Sequence, residues 1–168
     1  PFFVVRELQR HRTLPITDDT FSGDMAFNEM SGRYAPIPCK DYVPTVERCF
    51  KSDPKNKQSI GLDGKALDEY NALVWLDNLK ELQKRAEEVY QEGLEVGIPK
   101  ELARGALTVN RYSQMRVTGY LRNWLAFVTL RSHPKAQEEI QEYSRAVETI
   151  LAKQFPHTYN LFLQRRNG

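Results

Sequence analysis

A long amphipathic helix is the sequence feature that most constrains the fold of this chain. Between Lys65 and Gly93 apolar residues recur at a spacing near 3.6, with Lys and Glu between them: Leu67, Leu73, Leu76, Leu79, Leu82, Ala86, Val89 and Tyr90. Gly97 and Pro99 end the pattern. A helix of this length has to bury an apolar face against other elements, so the pattern predicts a packed, helix-rich protein.

Further helices and two short strands are expected around it. PKELARGAL, from residue 99 to 107, places Pro at a first helical turn, and LRNWLAFVTLR, from 121 to 131, is an apolar helix. A last long helix carries Ala136, Ile140, Tyr143, Val147, Ile150 and Leu151 on one face. PFFVVREL, residues 1 to 8, and RYSQMRVTGY, residues 111 to 120, have strand character. The pattern predicts an α/β class, with α+β as the other option: a mixed sheet with long amphipathic helices and helix dominant.

Bulk composition narrows the class of protein. The 168 residues suffice for one domain, and a net charge of +2 gives no argument for a nucleic-acid partner. Two cysteines are too few for a disulfide framework, and no metal site is predicted from their spacing. With so few cysteines we expect a reduced, cytoplasmic setting. No stretch is long and apolar enough for a membrane span. The chain opens with Pro1 instead of Met, and we expect a single catalytic domain, 1–168, lacking its N-terminal part.

Polar residues are unusually dense in RHRTLPITDDTFSGDMAFNEMSGRY, from residue 10 to 34. Such groups are costly to bury unless a ligand pairs with them, and a bound anion is one such partner. Any single arginine is usually a solvated charge. The planar fork of guanidinium nonetheless suits phosphate, and the set of arginines favours a polyanion such as a nucleotide: Arg10, Arg12, Arg33, Arg104, Arg122 and Arg131.

Two blocks of the sequence resemble one enzyme family. RHR followed by NEMSGRY, and later MRVTGYLRNWLAFVTLR with AQEEI, are similar to the signature blocks of the flavin-dependent thymidylate synthases. The resemblance covers nearly the whole chain. It implies a homotetramer with active sites shared between subunits, which binds FAD and methylates dUMP to dTMP. Methylenetetrahydrofolate is then the carbon donor and NADPH the reductant.

The resemblance also implies a set of site residues. Those implied for dUMP are Glu7, Arg10, Glu29, Ser31, Gly32, Arg33, Arg104 and Arg131. Those implied for FAD are Arg10, His11, Arg12, Asn28, Glu29, Tyr120, Arg122 and Ala126. Arg131 is the implied catalytic residue, because it matches the arginine that polarises the uracil ring. A cation there would stabilise the charge that makes C5 nucleophilic, so no protein nucleophile is required.

The chain departs from the family pattern at three places, the first of which is that the family's upstream flavin contacts, which come before Pro1, are absent from this sequence. The segment between RHR and the motif serine is longer than usual, and we assign residues 14–24 to an inserted loop, since Pro, Gly and Asp follow one another there without an apolar period. Tyr120 and Ala126 stand where many relatives have Asn.

Three alternatives to this function stay open, and the last is a degenerate family member that binds nucleotide without turnover. The first is a non-catalytic nucleotide- or RNA-binding module, in which the arginines hold phosphate and Tyr34, Tyr112 and Tyr120 stack on bases. The second gives Cys39 a nucleophilic role, although a free cysteine is more often a small buried hydrophobic residue. The two tryptophans, Trp75 and Trp124, are expected in the core.

Overall fold

The computed structural model describes residues 1–11, 25–51, 56 and 67–167. In chain order its elements are α1 (Phe2–Gln9), β1 (Ala26–Glu29), α2 (Val46–Phe50), α3 (Glu69–Glu95), α4 (Lys100–Ala103), a 3₁₀ turn (Arg104–Ala106), β2 (Met115–Thr118), α5 (Leu121–Arg131), α6 (Glu138–Gln154) and α7 (Pro156–Asn167). The helix-dominant class is confirmed. Arg12 and the predicted inserted loop, 14–24, lie outside the described residues.

The chain divides into two compact units. The first unit contains Pro1–Phe3 and Glu29–Met115, and the second contains Val4–Asn28 and Arg116–Gly168. In the first unit α3 packs against α2 and α4, whereas in the second α6 packs between α5 and α7. Of the described helices, none is long and apolar enough to cross a membrane.

A small sheet of two strands accompanies the helices. β1 pairs with β2, and the backbone N–H of Met30, just after β1, donates to the carbonyl of Gln114, just before β2, at 2.8 Å. Because the end of β1 lies beside the start of β2, the two strands run antiparallel. The strand character predicted for residues 111 to 120 is confirmed for the four residues of β2, while β1 was not predicted.

The strand predicted for residues 1 to 8 is wrong, because Phe2–Gln9 form helix α1. A helix leaves its first backbone N–H groups without partners inside the helix. Here the N–H of Phe2 donates to the carbonyl of Arg111 at 3.0 Å, and that of Phe3 to Val109 at 3.1 Å. Apolar residues that suit a strand therefore form a helix, since a distant segment supplies the acceptors that its first turn needs.

Helix α3 begins and ends where the sequence predicts, within a few residues. The side chain of Asp68 caps its N-terminus by accepting from the N–H of Asn71 at 2.8 Å. At its C-terminus Gly97 has a φ of 85° and donates to the carbonyl of Leu94, while Ile98 donates to Gly93. This pair of bonds closes the helix and requires a residue that tolerates a positive φ, which explains the glycine.

The apolar residues of α3 lie on more than one face. Its buried residues are Ala72, Leu76, Gln83 and Tyr90. Three apolar residues spaced seven apart are exposed instead: Trp75 at 53%, Leu82 at 59% and Val89 at 41%. We call these three the α3 stripe. The prediction that Trp75 belongs to the core is wrong, because the buried face of α3 turns away from it, whereas Trp124 is half-buried against Phe127.

Candidate active site

Arg131 is the centre of a polar cluster in the second unit. It is the last residue of α5, where a cation also meets the negative end of the helix dipole. Its Nη1 lies 2.8 Å from Glu7 Oε2, its Nη2 donates to the backbone carbonyl of Glu7 at 3.0 Å, and its Nε donates to His11 Nε2 at 2.7 Å. The helical form of α1 makes this possible, since Glu7 and His11 lie about one turn apart.

His11 is neutral in this cluster. Arginine Nε–H can only donate, so His11 Nε2 is the acceptor and the imidazole proton is on Nδ1. Burial, and after it the charge of Arg131, lower the pKa of His11 to about 4, against the raising effect of Glu7. The ring also packs edge-on against Phe127, with centroids 5.0 Å apart. His11 is therefore held on one side by a ring and on the other by a guanidinium.

The remaining residues predicted for this unit lie on exposed surface. Arg10 is 76% exposed and reaches Glu7 only at 3.7 Å. Arg122 and Ala126 are exposed and lie one turn apart on α5, directly after the exposed Tyr120, which is the N-cap residue of that helix. Asn28 is exposed at β1. The structure thus brings Glu7, His11 and Arg131 together, and Arg10 adjoins the exposed side of Glu7.

In the first unit, Ser31 begins a tight turn beside Arg104. The Ser31 Oγ accepts from the N–H of Arg33 at 3.3 Å, and its carbonyl accepts from the N–H of Tyr34 at 3.1 Å. Gly32 is buried, and a Cβ there would lie 2.7 Å from Ile37 Cδ1 and 3.5 Å from Arg104 Cδ. A side chain at position 32 would collide with Ile37, so the glycine allows the turn to pack against Ile37, while Arg104 is in ordinary contact beside it.

The surface of this turn is basic. Arg33 lies over the ring of Tyr34 at 5.8 Å, and Lys100 Nζ donates to the Tyr34 carbonyl at 3.3 Å. Arg33, Lys100 and Arg104 are all exposed. Exposed cations remain hydrated and can be presented to an anion at little cost, so this arrangement suits a phosphate group. Lys100 was not predicted, because a lysine in a first helical turn gives no signal by itself.

Glu29 has a partner that the sequence did not reveal. Ser113 Oγ donates to Glu29 Oε1 at 2.7 Å. Both residues are half-buried and adjoin the β1 and β2 pairing, which places them side by side. This contact could have been found only by predicting β1 and its register with β2, and β1 has too few residues to give a pattern of its own.

The structure gives no support for a nucleophilic Cys39. Its thiol is free and exposed, but partial burial, and after it the carboxylate of Glu87, raise the pKa of Cys39. A raised pKa reduces the fraction of thiolate near neutral pH, and the thiolate is the reactive form. Cys49 is also free.

The comparisons with known proteins identify the family. The family described as "Thymidylate synthase complementing protein" matches residues 1–157. This chain belongs to that family. The resemblance expected from the RHR and NEMSGRY motifs is confirmed, since curated relatives carry the name flavin-dependent thymidylate synthase.

Two of these relatives and one solved structure show how far the likeness extends. The chain is 35% identical to the protein of Thermus thermophilus and 32% to that of Wolbachia pipientis, over 96% and 98% of its own length. In both cases it covers 53% of the relative, so it spans about half their length. A UMP/dUMP methylase, PolB from Streptomyces cacaoi, solved with 5-Br dUMP, is 31% identical with a TM-score of 0.77, over 98% of this chain and 67% of that one.

Proposed function

We propose that the chain carries the uridylate-methylating site of a flavin-dependent thymidylate synthase. The reaction is the reductive methylation of dUMP to dTMP, with methylenetetrahydrofolate as the carbon donor and NADPH as the reductant. The observation that carries the proposal is the fixed position of Arg131 at the end of α5, with bonds to Glu7 and His11. A cation held in this way can stabilise charge that develops on a uracil ring.

The first unit of a neighbouring subunit would bind the nucleotide phosphate. Arg33 and Arg104 are exposed at the Ser31 turn, where Gly32 packs against Ile37 with Arg104 beside it. Backbone N–H groups and guanidinium forks are the donors that a phosphate requires. Glu29, held by Ser113, would accept a hydrogen bond from the nucleotide.

The donor set of the second unit fits a flavin dinucleotide. Arg10 and Arg122 are exposed guanidinium groups, suited to a diphosphate, and Tyr120 offers an exposed ring. His11 keeps one donor, its Nδ1–H, because Nε2 is occupied by Arg131. The proposed flavin set is completed by Asn28 and Ala126 of this unit, by Arg12, which lies outside the described residues, and by Glu29 of a neighbouring subunit. FAD, when bound, supplies the hydride chemistry, while the protein binds and orients.

The α3 stripe supports assembly into a homotetramer. Trp75, Leu82 and Val89 recur every seven residues along a helix of 27 residues and are exposed in the single chain. An exposed apolar stripe along one face of a helix is a surface that a second helix can cover. We expect Leu82→Glu to reduce the mass in light scattering, whereas Lys84→Glu, an exposed position outside the stripe, leaves it unchanged.

The test of the activity uses the purified protein with FAD, dUMP, methylenetetrahydrofolate and NADPH. Formation of dTMP, measured by mass spectrometry, together with NADPH oxidation supports the proposal. A protein that stays colourless with FAD and binds RNA with a steep salt dependence supports the non-catalytic module instead. UMP is tested in parallel, because PolB was also solved with 5-Br UMP, and the ratio of the two rates decides between dUMP and UMP as substrate.

A further inference from the structure

The guanidinium of Arg131 has five N–H donors, and three of them are engaged by two residues of α1 and the turn that follows it. Nε–H is bound by His11, while one N–H of Nη1 and one of Nη2 are bound by the carboxylate and the backbone carbonyl of Glu7. At most two donors are left for a ligand, one on each terminal nitrogen. The direction in which Arg131 can donate is therefore set by Glu7 and His11.

We propose that Glu7 and His11 are positioning residues for Arg131, which lock its guanidinium in the orientation needed to polarise the substrate. This inference rests on the proposed function. The resemblance assigned direct ligand contacts to the two residues, and the geometry adds a second role that operates through Arg131. The His11 side chain binds Nε of the guanidinium and the Glu7 side chain binds Nη1, so together they fix both the position and the rotation of this planar group.

These contacts of Arg131 require a neutral imidazole at His11 and an ionised carboxylate at Glu7. A protonated His11 would present N–H at both ring nitrogens, could not accept from Arg131, and would place a second positive charge 2.7 Å from its Nε. The low pKa of His11 keeps the acceptor available at neutral pH. The charged groups around His11 are Arg131 and Glu7, and Arg10 faces Glu7 from the exposed side at 3.7 Å.

Further hydrogen bonds hold the C-terminal end of α5, which carries Arg131. Arg131 caps a free carbonyl at the C-terminal end of α1, and such carbonyls have no partner inside the helix. The next residue, Ser132, shares a hydrogen bond with the fully buried Ser144 at 2.8 Å and donates to Glu148 at 3.1 Å. The end of α5 is thus tied to α1 on one side and to α6 on the other.

The test is a double-mutant cycle on turnover at saturating FAD and dUMP. We expect His11→Ala to lower kcat by ~10-fold to ~100-fold, the scale of a reacting group displaced by a fraction of an ångström to one ångström. His11→Gln, which restores an acceptor near the position of Nε2, should recover most of that loss. In an Arg131→Ala background, His11→Ala should cause no further loss. The matched control His157→Ala changes an exposed histidine of α7 and should leave kcat unchanged.

Glu7 gives a second cycle with its own control. Glu7→Ala should lower kcat as His11→Ala does, with no further loss in the Arg131→Ala background, whereas Glu142→Ala on the exposed surface of α6 should have no effect. If the effects of Glu7 or His11 and of Arg131 multiply, the two residues act on ligands independently and the positioning role is refuted.

A second readout separates failure of this inference from failure of the proposed function. The Arg131 Nε–H signal in ¹⁵N-resolved NMR should be protected from exchange in the wild type and in His11→Gln, but not in His11→Ala. Protection without any turnover of dUMP would refute the proposed function and leave the contact intact. Turnover with an unprotected Nε–H in the wild type would refute the contact itself.

Discussion

Asp41→Ala should strongly destabilise the first unit, because it removes the main partner of a fully buried arginine. Arg111 donates from Nε to Asp41 Oδ1 at 3.1 Å, and its Nη2 lies 3.0 Å from Asp41 Oδ2 and 2.6 Å from Glu87 Oε2. Its Nη1 donates to the carbonyl of Pro38 at 3.1 Å. The Arg111 side chain is 1% exposed, so water cannot replace a lost partner.

The expected cost follows from this geometry. Breaking a buried ion pair by removing one partner costs about 3–5 kcal/mol, and Asp41 provides two of the bonds. Glu87→Ala removes one contact at the edge of the network and should cost less, about 1.5–3 kcal/mol. With a urea slope of about 2 kcal/mol/M, Asp41→Ala should lower the unfolding midpoint by roughly 1.5–2.5 M.

The assay is equilibrium unfolding in urea, with Asp77→Ala as the control. Asp77 pairs with Lys80 at 3.0 Å on the exposed face of α3, where such a pair contributes about 0–1 kcal/mol. Asp41→Ala should therefore cost several times more than the control. If the two variants have the same midpoint, the Arg111 network does not hold the unit together and the reasoning is refuted.

Four further outcomes are expected. Arg131→Ala should lower turnover by ~100-fold to ~1,000-fold and weaken dUMP binding less than that. Arg131→Lys should restore turnover poorly. If a dUMP titration of the flavin spectrum shows that affinity falls as much as turnover, Arg131 is a binding residue only. Cys39→Ala should keep most of the turnover, and a folded variant that loses more than ~100-fold would reinstate a thiol mechanism. Deletion of Leu14–Asp24 should leave FAD bound, as seen by absorption, and loss of FAD from a folded variant would make the loop part of the pocket. The pKa of His11 is about 4 in the folded chain against an ordinary 6.5, so the unfolded chain takes up the proton at a higher pH and the stability of the fold falls as the pH drops from 6.5 towards 4. The urea midpoint of His11→Gln should fall less than that of the wild type over this pH range. Equal falls in the two proteins would contradict the lowered pKa of His11.

Local signals in the sequence predicted much of the helical structure. The helix from Leu121 to Arg131 was predicted with the bounds that it has, and the end of α3 was predicted from Gly97 and Pro99, because each signal lies within the element that it describes. The first helix was not, since PFFVVREL has the β-branched and aromatic residues of a strand. What decides its form is a pair of carbonyls at 109 and 111, far away in the sequence.

The candidate site, too, was predicted from the sequence only in part. Arg131 and Ser31 were predicted as site residues from the resemblance to the family. The contacts of Arg131 with Glu7 and His11 were not predicted, because they depend on α1 being a helix. In a strand, four residues span about 13 Å, and one guanidinium would not reach both side chains. The partnership of Ser113 with Glu29 likewise depends on the pairing of two strands that have four residues each.

The arginines of the candidate site differ in burial, and this difference separates those suited to binding from the one suited to catalysis. Arg33 and Arg104 are exposed, so they keep their hydration until an anion arrives, and such residues contribute mainly to binding. Arg131 is 17% exposed and is already desolvated and oriented by Glu7 and His11 before any ligand is present. A preorganised charge costs no reorganisation when charge develops on a substrate, which is the condition for lowering a barrier instead of only tightening binding. Exchange of an exposed arginine should therefore raise KM for dUMP more than it lowers kcat, and exchange of Arg131 should do the reverse.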